Sequence, residues 1–179
     1  MPTEISGSTG VNKIQDNTIV NADINSSAAI AGSKLVMPAG SVIQVLSTQT
    51  MASISTTSDA YQAAGWYLDI TPISTSSKIL ATLSGGGQYV GNSAGVNQYV
   101  TIYRDSTNLG DSTHGLSRFG TPGGSWSLVP HSISALDSPS STSSLRYQPY
   151  FKRTGNSGTA YFSHDDRGTI TFTLMEIAG

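Results

Sequence analysis

Acidic side chains and histidines are the groups in this sequence that could catalyse hydrolysis or hold a metal ion. The carboxylates after residue 36 are Asp59, Asp69, Asp105, Asp111, Asp137, Asp165, Asp166 and Glu176, and the histidines are His114, His131 and His164. A glycosidase needs two carboxyl groups about 5–10 Å apart. Asp105, Asp111 and Asp137 instead fall at predicted turns, where aspartate bonds to the backbone. We predict no catalytic residue and no metal ligand.

Other motifs for chemistry are equally sparse. Cysteine is absent, which excludes disulfides, thiolate zinc sites and cysteine nucleophiles. The sequence has neither Gly-x-Gly-x-x-Gly nor a phosphate-loop lysine, so we expect no cofactor. One question stays open, because Asp165 and Asp166 before Gly168 could help to hold calcium or could form a hairpin turn.

The charge of the chain is low. Charged residues make up 11% of the sequence and the formal net charge is -2, whereas ordinary domains contain about 25% charged residues. A surface without a basic stripe does not favour nucleic acid or anionic lipid. No run approaches the roughly 18 apolar residues of a membrane span, and no secretory signal is visible at the N terminus. We therefore expect no nucleic-acid partner and no membrane insertion.

Aromatic side chains remain as candidates for surface recognition, because they combine a large contact area with a polar group. In residues 145–153, apolar side chains alternate with an outward set comprising Arg146, Gln148, Tyr150 and Lys152. We predict a binding surface that contains Trp126, Tyr147, Tyr150 and Arg146. We also expect contacts at the distal loops of the domain that follows residue 36, for which 120–126 and 138–144 are the longest Gly/Ser/Pro-rich candidates.

Alternating polar and apolar runs follow residue 41. In residues 66–71 the apolar side chains alternate with Tyr67, Asp69 and Thr71. Further predicted strands are 78–84, 97–104, 125–137, 145–152, 160–163 and 169–177, separated by turn-forming clusters that include the glycines 85–87. This arrangement predicts an all-β fold, an antiparallel sandwich of jelly-roll type, over residues 37–179.

The segment before this head has a different period. Its large apolar residues recur close to every fifth position, at Ile14, Ile19, Ile24, Ile30 and Leu35. A step of five fits neither a helix nor a strand, and one chain cannot bury such a stripe alone. Several chains wound around a common axis could bury it, so we predict an intertwined stalk over 14–36, after an arm over 1–13. A helical turn over 27–31 is a competing interpretation.

The stalk pattern resembles the pentad repeats of bacteriophage tail fibres, in which isoleucines five apart alternate with Asp, Asn, Thr and Ser. The closing run Ala-Ala-Ile-Ala-Gly-Ser-Lys-Leu35 is similar as well. In the head, Ile70-Thr-Pro with Ser-Ser-Lys-Ile-Leu80, and Arg104-Asp-Ser-Thr with Leu-Gly110, resemble segments of phage fibre heads. The ending Phe172-Thr-Leu-Met-Glu-Ile-Ala-Gly resembles the last strand of marine-phage fibres.

This resemblance implies a homotrimeric tail fibre that is assembled in the host cytoplasm and carried on the virion. Residues 1–13 would dock to a tail or baseplate protein, 14–36 would form the trimeric stalk, and 37–179 would contact the host. Attachment would be non-catalytic binding to a host receptor, a surface polysaccharide or protein, through Trp126, Tyr147, Tyr150 and Arg146. A head fibre or capsid decoration protein is the alternative. A surface-polysaccharide-degrading enzyme ranks last, because a head of this size leaves no room for a long β-helix.

Overall fold

Polar and apolar residues alternate along the longer strands, and the computed structural model buries the apolar set. In Ile170–Ile177 the side chains of Ile170, Phe172 and Leu174 are buried, while the threonines between them are partly exposed. An alternation of period two gives a strand one apolar face. Two sheets that stack through such faces share one core, as the sequence predicts.

The structure describes residues 37–90, 95–120, 127–163 and 168–179. Their strands are β1 (Val42–Thr50), β2 (Ile54–Thr56), β3 (Gln62–Ala63), β4 (Leu68–Ile70), β5 (Lys78–Val90), β6 (Val96–Arg104), β7 (Thr107–Asn108), β8 (Ser117–Gly120), β9 (Ser127–Asp137), β10 (Leu145–Gly155), β11 (Ala160–Ser163) and β12 (Ile170–Ile177). No helix occurs among the described residues. The predicted stalk residues Ile14, Ile19, Ile24, Ile30 and Leu35 lie outside them, as do Trp126, Asp165 and Asp166.

Eight of the strands form two antiparallel sheets in jelly-roll order. Sheet A has the order β1-β12-β5-β9, and sheet B has the order β4-β10-β6-β8. The short strands β2 and β11 extend sheet A, and β3 and β7 extend sheet B. Each neighbouring pair combines one of the first four of these eight strands with one of the last four, as in a long hairpin rolled around a core. The predicted all-β antiparallel sandwich is confirmed.

Aromatic rings from both sheets meet in the centre of this core. The ring centre of Phe162 lies 5.2 Å from that of Phe151 and 6.3 Å from that of Trp66. Trp66 in turn lies 5.7 Å from Phe172, with the rings 74° apart. Edge-on and tilted contacts of this kind suit the aromatic quadrupole. Truncation of one of these phenylalanines to alanine costs about 3–5 kcal/mol.

The strand registers define two ends of the sandwich. We call the end at which Met37 leads into β1 the proximal end. At this end Val42 pairs with Ile177, and Ile177 pairs with Lys78. The opposite, distal end contains the paired residues Gly155 and Val96. The backbone at the proximal end is closed by Gly40, which donates to the carbonyl oxygen of Ala178 at 2.7 Å.

Of the two loops expected at the distal end, residues 121–126 lie outside the described residues, and the connection 138–144 lies within them. β8 ends at Gly120, which pairs with Asn97 in the distal part of β6. β9, in contrast, ends at Asp137 opposite Ile79, in the proximal part of β5. The connection 138–144 is therefore proximal, and its prediction as a distal loop is wrong. The order of the strands in the chain could not predict at which end a loop lies, because that depends on how the strands pair.

The glycines 85–87 do not form the predicted turn but lie within β5. Gly85 and Gly86 have φ angles of 84° and 55°, a region that favours glycine. The register against β9 shifts between Gly85 and Gln88, which marks a β-bulge. A Cβ on Gly85 would lie 2.5 Å from the carbonyl oxygen of Thr169. The three glycines therefore bend one long strand. A turn was predicted because glycine is typical of turns as well as of bulges.

His131 is a buried titratable group in this core. Its side chain is 2% exposed, its Nε2 lies 2.7 Å from the carbonyl oxygen of Phe162, and its ring lies 4.4 Å from the Phe162 ring. Burial lowers the pKa of His131 to about 4, although the hydrogen bond to Phe162 opposes that shift. The folded chain therefore keeps a neutral imidazole at pH values at which the unfolded chain is protonated.

We predict that the free energy of unfolding falls by about 3 kcal/mol as the pH drops from 6.5 to 4. The unfolded imidazole takes up a proton in this window and the folded one does not, so acid favours the unfolded chain. His131→Gln should lose this component, and His114→Gln, at an exposed histidine, should keep it. Urea denaturation across this pH range measures both. Equal pH dependence in wild type and His131→Gln would contradict the assignment.

Candidate functional site

Alternation along β6 and β10 places aromatic and charged side chains on the outer face of sheet B. Along β10, the inward side chains are Leu145, Tyr147, Pro149 and Phe151, and the outward ones between them are Arg146, Gln148 and Tyr150. Arg146 and Tyr150 therefore lie on one face, about 13 Å apart along the strand. Tyr99 and Tyr103 of β6 lie beside this strand, opposite Lys152 and Gln148.

Arg146 anchors the proximal part of this face. Its Nε and Nη2 donate to the two carboxylate oxygens of Asp69 at 2.9 and 3.2 Å. The two residues are directly opposite in the pairing of β4 and β10. The guanidinium carbon lies 3.5 Å from the ring centre of Tyr67, which is a stacking contact typical of arginine. The hydrogen bonds that Arg146 donates to Asp69 raise the pKa of Arg146, so this group remains a cation.

Asp105 fixes the backbone next to this arginine. Its N–H donates to the carbonyl oxygen of Arg146 at 2.7 Å, and its Oδ1 accepts from the N–H of Arg146 at 3.0 Å. The φ angle of Asp105 is 50°, a left-handed conformation that aspartate tolerates better than most residues. Asp69, Asp105, Ser144 and Arg146 line an open cleft of about 340 Å³. The cleft offers hydroxyl, carboxylate and guanidinium groups side by side.

Tyrosine rings continue the face beyond the cleft. Tyr103 and Tyr150 are half-buried neighbours with ring centres 4.2 Å apart and planes inclined by 35°. Tyr61 approaches Tyr103 edge-on at 6.1 Å. Burial and the neighbouring Tyr150 raise the pKa of Tyr103, and burial together with Tyr103 and Asp111 raises that of Tyr61 to about 12. Both phenols are therefore neutral at pH 7 and can only share hydrogen bonds, not act as bases.

Lys152 is the inner member of this tyrosine group. Its side chain is only 9% exposed, and its Nζ lies 4.4 Å from the ring centre of Tyr61 and 5.5 Å from that of Tyr99. Cation–π contacts of this kind are worth about 0.5–2 kcal/mol each. The ammonium group thus holds Tyr61 against sheet B, beside Tyr103.

Tyr147 lies beneath the face and not on it. Its ring is 0% exposed, and its hydroxyl donates to Oδ2 of Asp137 at 2.6 Å. Burial and the hydrogen bond to Asp137 raise the pKa of Tyr147. The prediction that Tyr147 contacts a receptor is therefore wrong, because the alternation that exposes Arg146 turns Tyr147 inward.

Asp137 also differs from its predicted role as a turn residue. It is the last residue of β9 in sheet A, and Nη1 of Arg104 in sheet B donates to both its oxygens at 2.7 and 2.6 Å. Burial lowers the pKa of Arg104, but the hydrogen bonds and charge of Asp137 outweigh it and raise that pKa overall. The carboxylate thus joins the two sheets through Arg104 and through Tyr147, the residue next to Arg146.

The structure brings two of the predicted receptor-binding residues, Arg146 and Tyr150, onto one face. Trp126 lies outside the described residues, so its assignment stays a prediction. Tyr67, Asp69 and Tyr103 complete the face, and of these Tyr67 and Asp69 were not predicted as binding residues. The alternation of residues 66–71 already indicated that Tyr67 and Asp69 point outward, but not which strand lies beside them.

Among the described residues, no group of three or more His, Asp or Glu could hold a metal ion. Exposed His114 and Asp111 lie 3.1 Å apart, and Asp111 also accepts the backbone N–H of Thr113 and of His114. Residues 91–95 read Gly-Asn-Ser-Ala-Gly; 91–94 lie outside the described residues, and in the chain they follow strand β5 and precede strand β6, whereas a nucleophile elbow leads from a strand into a helix. Within the described residues, no helix is long and apolar enough to span a membrane.

Comparison with known proteins assigns no family. No protein-family model matches the chain, and no curated protein matches it in sequence. Among solved structures, T=1 particles derived from infectious bursal virus match at 12% identity and a TM-score of 0.42, over 85% of this chain and 40% of that one. The Gt strain of infectious bursal disease virus matches at 14% identity and a TM-score of 0.40, over 85% and 42%.

A further match is of a different kind. The Bacillus endospore appendages, described as disulfide-linked pili, match at 8% identity and a TM-score of 0.28, over 81% of this chain and 98% of that one. This chain spans about two fifths of the two virus chains. At TM-scores below 0.5, none of these similarities assigns a function.

We predict that the two aspartates under and on this face differ in their effect on stability. Asp137→Ala should cost about 3 kcal/mol, because it leaves Arg104 and the Tyr147 hydroxyl without their partner between the sheets. Asp69→Ala should cost less than about 1 kcal/mol, because its pair with Arg146 is exposed. Equilibrium denaturation of both variants compares them, and equal losses would contradict the role given to Asp137.

Proposed function

We propose that this chain is a virion component, a bacteriophage tail-fibre protein that attaches the particle to its host by binding without chemistry. The observation that carries the proposal is the outer face of sheet B. It combines exposed Tyr67 and Arg146 with half-buried Tyr103 and Tyr150 on a rigid sheet. The resemblance of residues 14–35 to phage stalk repeats supports the place on a virion.

The chemistry of this face suits a host surface polysaccharide, and a protein on the host surface is the alternative receptor. Tyrosine rings offer flat apolar surface to sugar rings, and their hydroxyls share hydrogen bonds with sugar hydroxyls. Arg146 and Asp69 present donors and acceptors beside them, in the open cleft with Asp105. Because Arg146 is paired with Asp69, the face carries little net charge, so we expect binding to depend weakly on salt.

Weak sites of this kind gain strength when several are joined. Three copies of the face on one particle raise the effective concentration of each for a repetitive polymer, and avidity can exceed single-site affinity by about 10²–10⁴. Residues 14–36 would join the three chains as an intertwined stalk. Residues 1–13 would dock to a tail or baseplate protein.

Substitution on the face should weaken attachment without unfolding the head. We predict that Arg146→Ala with Tyr150→Ala lowers binding of the full-length protein to host cells at least ten-fold, in the range typical of central contact residues. Lys78→Ala, which removes an exposed cation from sheet A, is the matched control and should bind as wild type. Flow cytometry with labelled protein measures both. Undiminished binding by the double variant would overturn this site.

The position on the particle is tested separately by labelling. An antibody against the head should mark the tip or base of the tail in electron micrographs of virions. Labelling of the capsid shell would contradict the tail-fibre proposal and favour a head fibre or decoration protein.

The proposed trimer is based on the recurrence of isoleucine close to every fifth position in residues 14–35. We predict that sedimentation of the full-length chain gives three chains per particle. Replacing Ile19 and Ile24 together with Asp should lower this mass, because unpaired charge is costly to bury between chains. A monomeric wild type at micromolar concentration would overturn the trimer, and an unchanged mass and melting temperature in the variant would show that these isoleucines are not buried.

A further inference from the structure

The outer face of sheet A carries a row of four apolar residues that lie directly opposite one another on neighbouring strands. Val45 of β1 pairs with Met175 of β12, Met175 pairs with Leu80 of β5, and Leu80 pairs with Leu136 of β9. We call these four residues the apolar row. Cross-strand partners on one face lie about 5 Å apart at Cβ, so the row is a continuous stripe across the sheet.

The ends of the apolar row are its most exposed members. Val45 is 54% exposed and Leu136 is 59% exposed, whereas Met175 and Leu80 are half-buried between them. Val42, which is 50% exposed, extends the stripe next to Ile177 at the proximal end. Single exposed aliphatic residues are ordinary, but a contiguous set marks a contact surface.

Distal to the apolar row this face is small and uncharged, whereas the exposed cation Lys78 lies on its proximal side, opposite Ile177. The next two rows toward the distal end contain Ser47, Thr173, Thr82 and Ser134, then Gln49, Thr171, Ser84 and Ser132. Ser47 bonds to Thr173, and Gln49 donates to Thr171, within the sheet. The apolar row and these two rows offer no charge to attract an ionic partner, so they suit an identical surface better than a charged one.

Both ends of the apolar row lie on edge strands. β1 and β9 are the outer strands of the four main strands of sheet A. β1 contains neither proline nor a charged residue, and the proline of β9, Pro130, lies in its distal half, away from Leu136. Natural edges that must stay free are blocked by charge, proline or bulges. The register of β1 shifts between Val42 and Gln44, and the acidic residue of β9, Asp137, is bonded to Arg104 between the sheets. The edges are therefore unblocked from Val45 onward in β1 and at Leu136 in β9.

We propose that the apolar row is where copies of this chain pack, with the β1 end of one copy against the β9 end of the next. The two ends are different surfaces, so the contact is heterologous, and three copies close it into a ring. The row also lies at the proximal end, where Met37 follows the isoleucine-rich residues 14–36. This inference rests on the trimer of the proposed function and assigns it a surface on the head.

Disulfide trapping in the full-length chain tests the contact, because the chain has no cysteine of its own. Val45→Cys and Leu136→Cys are combined in one variant and mildly oxidised. Within one copy the two positions are three strand spacings apart, about 14 Å, which exceeds the roughly 7 Å that a disulfide can span. Any bond is therefore between copies. We expect a covalent species of three chains on a non-reducing gel.

Matched variants separate a real contact from random collision. Each single cysteine should give no three-chain species. The pair Gln62→Cys and Ser106→Cys, exposed on the sheet B side, should remain uncrosslinked. Sedimentation of the unoxidised double variant is run alongside.

Three results would overturn the inference. Three chains per particle without cross-linking would show that the trimer packs elsewhere and would leave the proposed function intact. One chain per particle without cross-linking would remove both the contact and the trimer. Efficient covalent dimers from Leu136→Cys alone would show that equal ends meet, so the contact is two-fold and not a ring.

Discussion

The carboxylate of Asp137 is the contact on which the arrangement of the head depends most. It ends β9 in sheet A and accepts hydrogen bonds from Arg104 and Tyr147 in sheet B. Inward-facing aliphatic and aromatic residues hold the sheets together without direction, whereas this bond fixes one position of each sheet relative to the other. Because Arg146 is the residue before Tyr147, the same bond sets the height and orientation of the exposed cleft.

A jelly-roll sandwich has two outer faces, and this sequence gives them different chemistry. The outer face of sheet B carries tyrosines and the Arg146–Asp69 pair, which suit a hydroxyl-rich ligand. The outer face of sheet A carries an apolar row and hydroxyl side chains, which suit a second copy. Opposite faces can act together, since packing through sheet A would leave sheet B of every copy turned outward. Receptor binding and assembly then do not compete for the same residues.

Alternation along single strands was enough to predict much of this head. It gave the buried and outward faces of β10 and of residues 66–71, and with the turn clusters it gave an antiparallel sandwich. It could not give the partner of Arg146, because Asp69 is 77 positions away and reaches it only through the rolled pairing of β4 with β10. Asp137 resembled a turn residue for the same reason, since its partners lie on the opposite sheet. Tyr147 was misassigned because its residue type was given more weight than its place in the alternation.

The separation of receptor binding and subunit packing on opposite faces is tested most directly by NMR of the full-length protein. The tyrosine rings and the leucine and valine methyl groups are labelled, and purified bacterial surface polysaccharides that bind the protein are added. The predicted result is that resonances of Tyr67, Tyr103 and Tyr150 shift while those of Val45 and Leu136 stay in place. Shifts at Val45 and Leu136 with unchanged tyrosine resonances would contradict it.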